Sequence, residues 1–455
     1  MGERSTLRRL STKPGGGLLI AMACGLTCVA AGVLGVKFGS VVLVSKVSLP
    51  IADLGKDYIL ALVWAAALSL ALVAIPIRRE DRIPLFILWA AMLAVALVVR
   101  VFVENVYPVS DAFASYRNAK LENFGEVQYG RGTPILTYVV WLHQQYLIDS
   151  FHAIKVTGSF IGLWAIYFHY RAATLHFARA RPNLLLVVGL LPGILFWATM
   201  AGKEPIVLFG IGAYAWGVVG LLTRRTVWYT LLIVTGIALA GAIRVWLALI
   251  MVAPLFTIVL VGNAPRYVKA LVFIGFIGGF AGGLSLFADR FQIVSPEDIV
   301  ETADTVSQSW ARGGSGQSMG SGLTSFSDMV KFMPIGAFTA LFRPLPGEVR
   351  NVFGTLASLD NILLLGVLYL AFRRTTMREL NDPVIAWALA FVVVWSAIYG
   401  FASYQNLGTA VRFKLQVLPL LWLVLLYLAR PRTTLATTLT ISRRMNATSK
   451  LWRVS

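Results

Sequence analysis

The sequence predicts an all-α, polytopic membrane helix bundle, and three observations carry that prediction. Of its 455 residues, 58% are hydrophobic and only 13% charged, against about a quarter charged in an ordinary soluble domain. Uncharged runs of roughly 20 residues, enough to cross a bilayer core as a helix, recur along the whole chain. The formal net charge of +19, from 40 Lys and Arg against 21 Asp and Glu, collects between alternate runs, as it does in loops that face the cytoplasm.

Taken in order, the first run covers 17–36 and follows Arg8, Arg9 and Lys13. Its length and its lack of a small-x-small cleavage site predict a retained helix rather than a signal peptide. Cys24 and Cys28, one helical turn apart within it, read as small apolar residues, not as a disulfide or metal pair. Runs at 57–77 and 83–103 form a hairpin around Arg78, Arg79 and Arg82. After a polar segment come runs at 151–170, 184–200, 205–222, 226–242, 245–262 and 267–287. A second polar segment leads to the last three, at 352–372, 384–402 and 412–429. The expectation is therefore about twelve transmembrane helices in one domain, residues 1–435, with a basic cytoplasmic tail, 436–455, and both termini in the cytoplasm. With that orientation the inner segments hold 23 Lys and Arg and five Asp and Glu, a net of +18. One missed crossing would put the later basic loops on the wrong side, so the charge distribution supports the count. It also means that the basic excess does not indicate a nucleic-acid partner; the partner it serves is the lipid bilayer.

Two outer segments are large. Residues 104–150 include an amphipathic stretch, Ile135–Ile148, predicted to lie along the membrane interface. Residues 288–350 begin with acids (Asp289, Glu297, Asp298, Glu301, Asp304) and pass through a Gly- and Ser-rich stretch, Arg312–Gly322, that reads as a mobile loop over the outer face. That stretch lacks the Gly-Lys-Ser/Thr ending of a nucleotide-binding loop, which removes an ATPase reading. Gly275, Gly279 and Gly283, with Gly278 and Gly282, predict close helix packing.

Charge near membrane depth is costly and marks sites. Asp111 follows the third run and would share a helix face with Ser115; a carboxylate there is a candidate general base, or else a helix cap or a partner of Arg117. Glu204 precedes Pro205 at a helix start, where it caps the positive end of the helix or orients a substrate. Lys203 is unfavourable at that end unless an anion lies beside it. Further outer cations are Arg244, Arg343, Arg350, Arg412 and Lys414. Guanidinium forks suit phosphate or pyrophosphate, so these six cations are expected to clamp such a group around one cavity. The four histidines, His143, His152, His169 and His176, show no metal spacing, and no metal or other cofactor is expected.

An acid with a Tyr shortly after it in the first large outer loop, Asp111 and Tyr116, resembles the multi-spanning C-type glycosyltransferases that use polyprenyl-phosphate-linked sugars. Phe196 and Trp197 followed by Gly202, Lys203 and Glu204, the Arg343–Glu348 segment and the Arg412–Pro419 segment resemble membrane proteins of bacterial surface-polysaccharide clusters, including O-antigen polymerases. The resemblance implies a membrane glycosyltransferase or polymerase of the bacterial inner membrane, active on its periplasmic face. Its substrates would be a polyprenyl-linked glycan donor and a glycan acceptor, and other polysaccharide-export components would be its partners. In C-type transferases the acid usually follows the first crossing, often as a pair; here it is single and follows the third. O-antigen polymerases rely on outer-loop arginines, which matches Arg244, Arg343 and Arg412. A transporter or flippase of a lipid-linked glycan is the competing expectation.

Overall fold

Asp57 joins two helices at their N-termini. In the computed structural model, which describes residues 51, 53–106, 111–177, 181–261, 265–293, 295–311, 325–349 and 352–431, this buried carboxylate lies in the first turn of α1 (Leu54–Ala74). It accepts from the backbone N–H groups of Phe151 (2.9 Å) and His152 (3.2 Å), which open α6 (Phe151–His176). These are orphan donors of a helix start, and a carboxylate there is favoured by the helix dipole. The bond also fixes α1 and α6 parallel, with their N-termini at one end of the bundle, called here the site end.

Between them the chain runs down and back. Helix α2 (Arg79–Ala94) passes through a π-helical turn, Val95–Val99, into α3 (Arg100–Val106). Asp81, at its start, accepts from Tyr167 (3.0 Å) and Tyr170 (2.6 Å) near the far end of α6, so α2 and α3 are antiparallel to α1 and α6. Two short helices follow at the site end, α4 (Asp111–Lys120) and α5 (Gly132–Tyr146).

After α6 the chain climbs back through two fragments, α7 (Pro182–Gly189) and α8 (Pro192–Trp197). Gly189 abuts Leu88 of α2, whereas the carbonyl of Phe196 meets Arg100 of α3 (2.6 Å), roughly 18 Å further along at 1.5 Å per residue. Helix α9 (Lys203–Arg224) therefore starts at the site end. It packs closely against α6, where a side chain at Gly212 would meet the Ala165 carbonyl at 2.7 Å, and against α10 (Tyr229–Ile243). There Gly236 faces the Gly210 carbonyl at 2.4 Å from where a Cβ would sit, so only the smallest residue fits.

The chain then descends through α11 (Val245–Val252), a 3-10 turn (Ala253–Leu255) and α12 (Phe256–Leu260), and rises along α13 (Arg266–Phe291). Helices α14 (Pro296–Ala311) and α15 (Phe326–Phe342) occupy the expected outer loop. The backbone of α15 touches that of α18 (Pro383–Ser403) where Gly336 meets Gly400. Helix α16 (Val352–Arg374) and the short α17 (Met377–Leu380) precede α18. Last come α19 (Leu407–Lys414) and α20 (Leu418–Leu428), bent by 68° between them.

The chain is a multi-pass membrane protein, all-helical among the described residues. Seven helices are long and apolar enough to cross a bilayer, or eight if the bent pair α19 and α20 is one span. The expected count of about twelve is not reached by this measure, for identifiable reasons. The runs at 184–200, 226–242 and 245–262 are built from helices shorter than a full span: α7 with α8, α10, and α11 with α12. The first run, 17–36, with Cys24 and Cys28, lies outside the described residues, as do the whole Gly- and Ser-rich stretch, Arg312–Gly322, and the tail, 436–455. The glycine stripe of α13 divides in use. Gly279 and Gly283 pack on Val252 and Leu249, whereas Gly275, Gly278 and Gly282 face open space.

Candidate functional site

Three polar segments far apart in sequence meet at the site end: the start of α4, the start of α9 and the α19 helix. Glu204 lies in the first turn of α9, 3% exposed. Its Oε1 accepts from Arg412 Nε at 2.6 Å and from Arg244 Nη2 at 3.3 Å. Arg412 spans two acids, because its Nη1 donates to Asp111 Oδ2 at 3.1 Å. Arg412 comes from α19, and Arg244 from the extended residue that breaks α10 from α11.

That break is built by the loop before α5. Gly130 N–H donates to the Ala242 carbonyl (2.9 Å), and Arg131 forms an isolated antiparallel bridge with Arg244. Gly130 adopts a positive φ of 82°, and a Cβ there would lie 2.9 Å from Val245, so glycine serves the turn twice. The Arg244 guanidinium lies over the Phe413 ring at 4.2 Å, a cation–π contact that shields it from solvent.

Lys203 donates to Thr133 Oγ1 at 2.6 Å and lies within electrostatic reach of Asp111, Glu204, Arg244 and Arg412. The five charged groups, Asp111, Lys203, Glu204, Arg244 and Arg412, thus form one cluster with three cations and two carboxylates. One positive charge is uncompensated within it. Arg244 Nη1 is buried without a close acceptor among the described residues, although the Tyr399 hydroxyl lies within interaction range of the same guanidinium. A fixed, desolvated guanidinium edge beside a net positive charge is suited to an anion, and a phosphate oxygen matches its geometry.

The structure therefore brings together five of the eight residues picked out from the sequence. Arg343 is paired elsewhere: its Nε donates to both oxygens of Glu348 (2.8 and 3.0 Å), whose carboxylate also accepts from Leu345 N–H. Lys414 is buried beside Asp360 and donates to Asn361 Oδ1. Arg350 lies outside the described residues. Asp111 pairs with Arg412 and not with Arg117. Tyr116 donates to Asp149 (3.2 Å). Burial, with Asp149 and Asp57 nearby, holds its hydroxyl pKa well above the ordinary value, so Tyr116 acts as a donor rather than a base.

Sequence reasoning missed the second layer. Arg100, buried, stacks on Phe196 at 4.3 Å and binds its carbonyl, fixing the turn that leads to Lys203 and Glu204. Lys155 pairs with Glu104 at 2.7 Å, one turn above Arg100, and the His152 ring lies with its Nδ1 2.9 Å from Asp57 Oδ2. The available signal was a lone charge inside an apolar run, as at Arg100 and Lys155; a reading restricted to run ends passes over it. Among the described residues no three His, Cys, Asp or Glu side chains converge to hold a metal ion.

No protein-family model matches this chain, and no match is found among curated proteins or solved structures.

Proposed function

We propose that this chain is a membrane-embedded glycosyltransferase or polysaccharide polymerase that takes a polyprenyl-phosphate-linked sugar donor. It would act on the periplasmic face of a bacterial inner membrane, in exopolysaccharide, O-antigen or other envelope-glycan assembly. The observation that carries the reading is the clasp of Glu204 by Arg244 and Arg412, with Arg412 also bonded to the exposed Asp111 and one positive charge left over in the cluster. An acceptor hydroxyl near Asp111 would lose its proton to that carboxylate as its oxygen attacks the anomeric carbon. The bond from that carbon to the phosphate oxygen breaks, and the electron pair stays on the phosphate. Arg244, Arg412 and Lys203 are placed to stabilise that charge as it develops.

Glu204 takes a different part from Asp111 in this scheme. Its carboxylate is enclosed and already faces two guanidiniums, so it orients Arg244 and Arg412 and does not take the proton. Asp111, with its side chain 54% exposed and one cation beside it, is the group an acceptor can reach. The twelve-crossing topology with both termini cytoplasmic belongs to the same proposal. It is supported by the basic loops and by the parallel starts of α1, α6 and α9, each of which requires an intervening return of the chain.

A lipid-linked glycan transporter or flippase is the second reading, favoured by the charges buried well inside the bundle, Lys155 with Glu104 and Asp360 beside Lys414. The deciding experiment incubates the purified chain with a polyprenyl-linked glycan and an acceptor and follows glycan length. A parallel assay follows movement of the same lipid across vesicles. Transfer abolished by Asp111→Asn and Arg244→Ala supports the enzyme; movement without any transfer selects the transporter.

A further inference from the structure

Lys414 and Asp360 are both buried, 3% and 6% exposed. Asp360 lies at membrane depth, eight residues into the spanning helix α16 and so roughly 12 Å from its start at 1.5 Å per residue. Its Oδ2 accepts from the Gly193 N–H at 2.6 Å, and a Cβ on Gly193 would lie 2.9 Å from the same oxygen, so the carboxylate sits directly on the start of α8. Lys414 closes α19, just before the 68° bend into α20. Its ammonium donates to Asn361 Oδ1, and Asn361 Nδ2 donates to the Pro344 carbonyl at 2.9 Å. The direct partner of each charge is neutral, a side-chain amide and a backbone N–H, and the two charges act on each other through space. The elements packed around them, α8, α18 and α20, carry no Asp, Glu, Lys, Arg or His. Tyr399 of α18 accepts from Trp246, and Tyr369 and Tyr427 lie in the far halves of α16 and α20. Arg373 and Arg374 are at the far end of α16, and Asp328 and Lys331 are in the first turns of α15. Arg343 bonds Glu348, and Arg412 turns to Glu204 and Asp111.

We propose that Asp360 and Lys414 form a proton-binding site inside the membrane, and that its proton holds the clasp on Glu204 shut. With the proton on Lys414, ammonium and carboxylate cancel. When that N–H bond breaks and the proton leaves to water, the electron pair stays on nitrogen, and Asp360 becomes an uncompensated buried charge, which the membrane interior strongly disfavours. Admitting water to Asp360 relieves this, and it requires α8 and α19 to part from α16. Helix α8 runs into Lys203 and Glu204 through the turn that Arg100 holds, and α19 carries Arg412 two residues before Lys414. Both sides of the Glu204–Arg412 bond are thus anchored on one titratable pair. The site is occupied at low pH and emptied as pH rises, so the clasp opens on the alkaline side. This holds whatever chemistry the charged cluster performs.

The test uses the full chain in phosphatidylcholine nanodiscs and two readouts that need no substrate. Hydrogen–deuterium exchange, corrected for the intrinsic pH dependence of amide exchange, is followed over Gly193–Glu204 and Leu407–Lys414 from about pH 6 to 10. Above the titration point, exchange in both segments is expected to rise about tenfold per pH unit, the slope of a one-proton linkage, while α10 and α13 stay unchanged. Asp360→Asn, which removes the countercharge of the ammonium, should move the rise to lower pH. Asp360→Asn combined with Lys414→Met should abolish it. Infrared difference spectra supply the second readout: Lys414→Met should show the carbonyl stretch of a protonated carboxylic acid, absent from the double variant, because a lone buried Asp360 takes up a proton. A flat wild-type exchange profile in both segments overturns the proposal, even where the variants fail to fold. A slope that survives in the double variant overturns it too, by assigning the proton to another group. So does a Lys414→Met spectrum without the carboxylic acid band.

Discussion

Arg412 and Glu204 are 208 residues apart in sequence and joined by a 2.6 Å hydrogen bond between Nε and Oε1. The bond ties the bent α19–α20 pair to the first turn of α9. Because Arg244 reaches the same oxygen, Glu204 is the point through which both guanidiniums are held in position. Removing it leaves two cations facing each other in a nearly closed space.

Glu204→Gln is accordingly expected to destabilise the fold by about 3–5 kcal/mol, the range for breaking a buried ion pair from one side. Denaturant or thermal unfolding in detergent measures it. A loss below about 1 kcal/mol, the range of an exposed pair, would mean that the clasp is not formed.

Lys155 and Glu104 supply a cleaner case, since Lys155 is 1% exposed and among the described residues its one direct ion pair is with Glu104. Lys155→Met alone should cost about 3–5 kcal/mol, while Lys155→Met with Glu104→Leu should return to wild-type stability or exceed it by about 1–4 kcal/mol. If the double variant is as unstable as the single one, the pair is fixed by something other than mutual neutralisation.

Asp111→Asn should separate chemistry from folding. The side chain is 54% exposed, so stability should change by no more than about 0.5 kcal/mol. The transfer rate from a polyprenyl-linked donor should fall about 10²–10⁴-fold, the typical worth of a general base. Initial rates across pH measure it, and a wild-type rate would remove Asp111 from the reaction.

The glycines predict opposite outcomes for the same substitution. At Gly236 an added Cβ would lie 2.4 Å from the Gly210 carbonyl, and Gly236→Ala should cost about 1–3 kcal/mol through overpacking. At Gly278 nothing lies within 4 Å, and Gly278→Ala should be neutral or stabilise by about 0.5–1 kcal/mol, because alanine loses less backbone freedom in a helix. Melting temperatures of the two variants side by side decide it.

A pH effect is expected at His143, in α5. Its ring contacts the Ile148 carbonyl (2.9 Å) and Thr157 Oγ1 (2.7 Å), and burial lowers its pKa below the ordinary 6.5. As pH falls through 6.5 the unfolded chain takes up a proton that the folded chain resists, so stability rises with pH here and is lost on acidification. His143→Gln should flatten the part of the melting-temperature profile between about pH 5 and 7 that this group causes; an unchanged profile would assign it to other histidines.

Much of the bundle is legible in the sequence, because spans are set by apolar length alone. The runs at 57–77, 83–103, 151–170, 205–222, 267–287, 352–372 and 384–402 each correspond to a helix able to cross. Less legible is whether a run forms one helix. Pro192 and Gly189 interrupt the 184–200 run as α7 and α8, and hydropathy averages across such breaks. At the site, the residue types were readable and their pairing was not. Arg412, Arg343 and Lys414 look alike as outer cations, yet they meet Glu204, Glu348 and Asn361 respectively. Those choices depend on helix rotation and on the 68° bend, both set by packing between distant segments. The same holds for α13, where the spacing of the glycines predicts contact but not which of them receive it.

The π-helical turn at Val95–Val99, where the Arg100 N–H returns to the Val95 carbonyl, divides one helix into two faces with different duties. Below it Leu85, Trp89 and Met92 are buried in the apolar core. Above it Arg100 and Glu104 point to Phe196 and Lys155. A wide turn holds one residue more than an α-turn, and one residue is worth roughly 100° of rotation. The extra valine therefore works as a phase shifter, letting a helix whose lower half is timed to the core deliver its charges in another direction. Deleting it would restore a regular helix and swing both charges away from their partners in a single step, together with the buried Val101 beyond the turn.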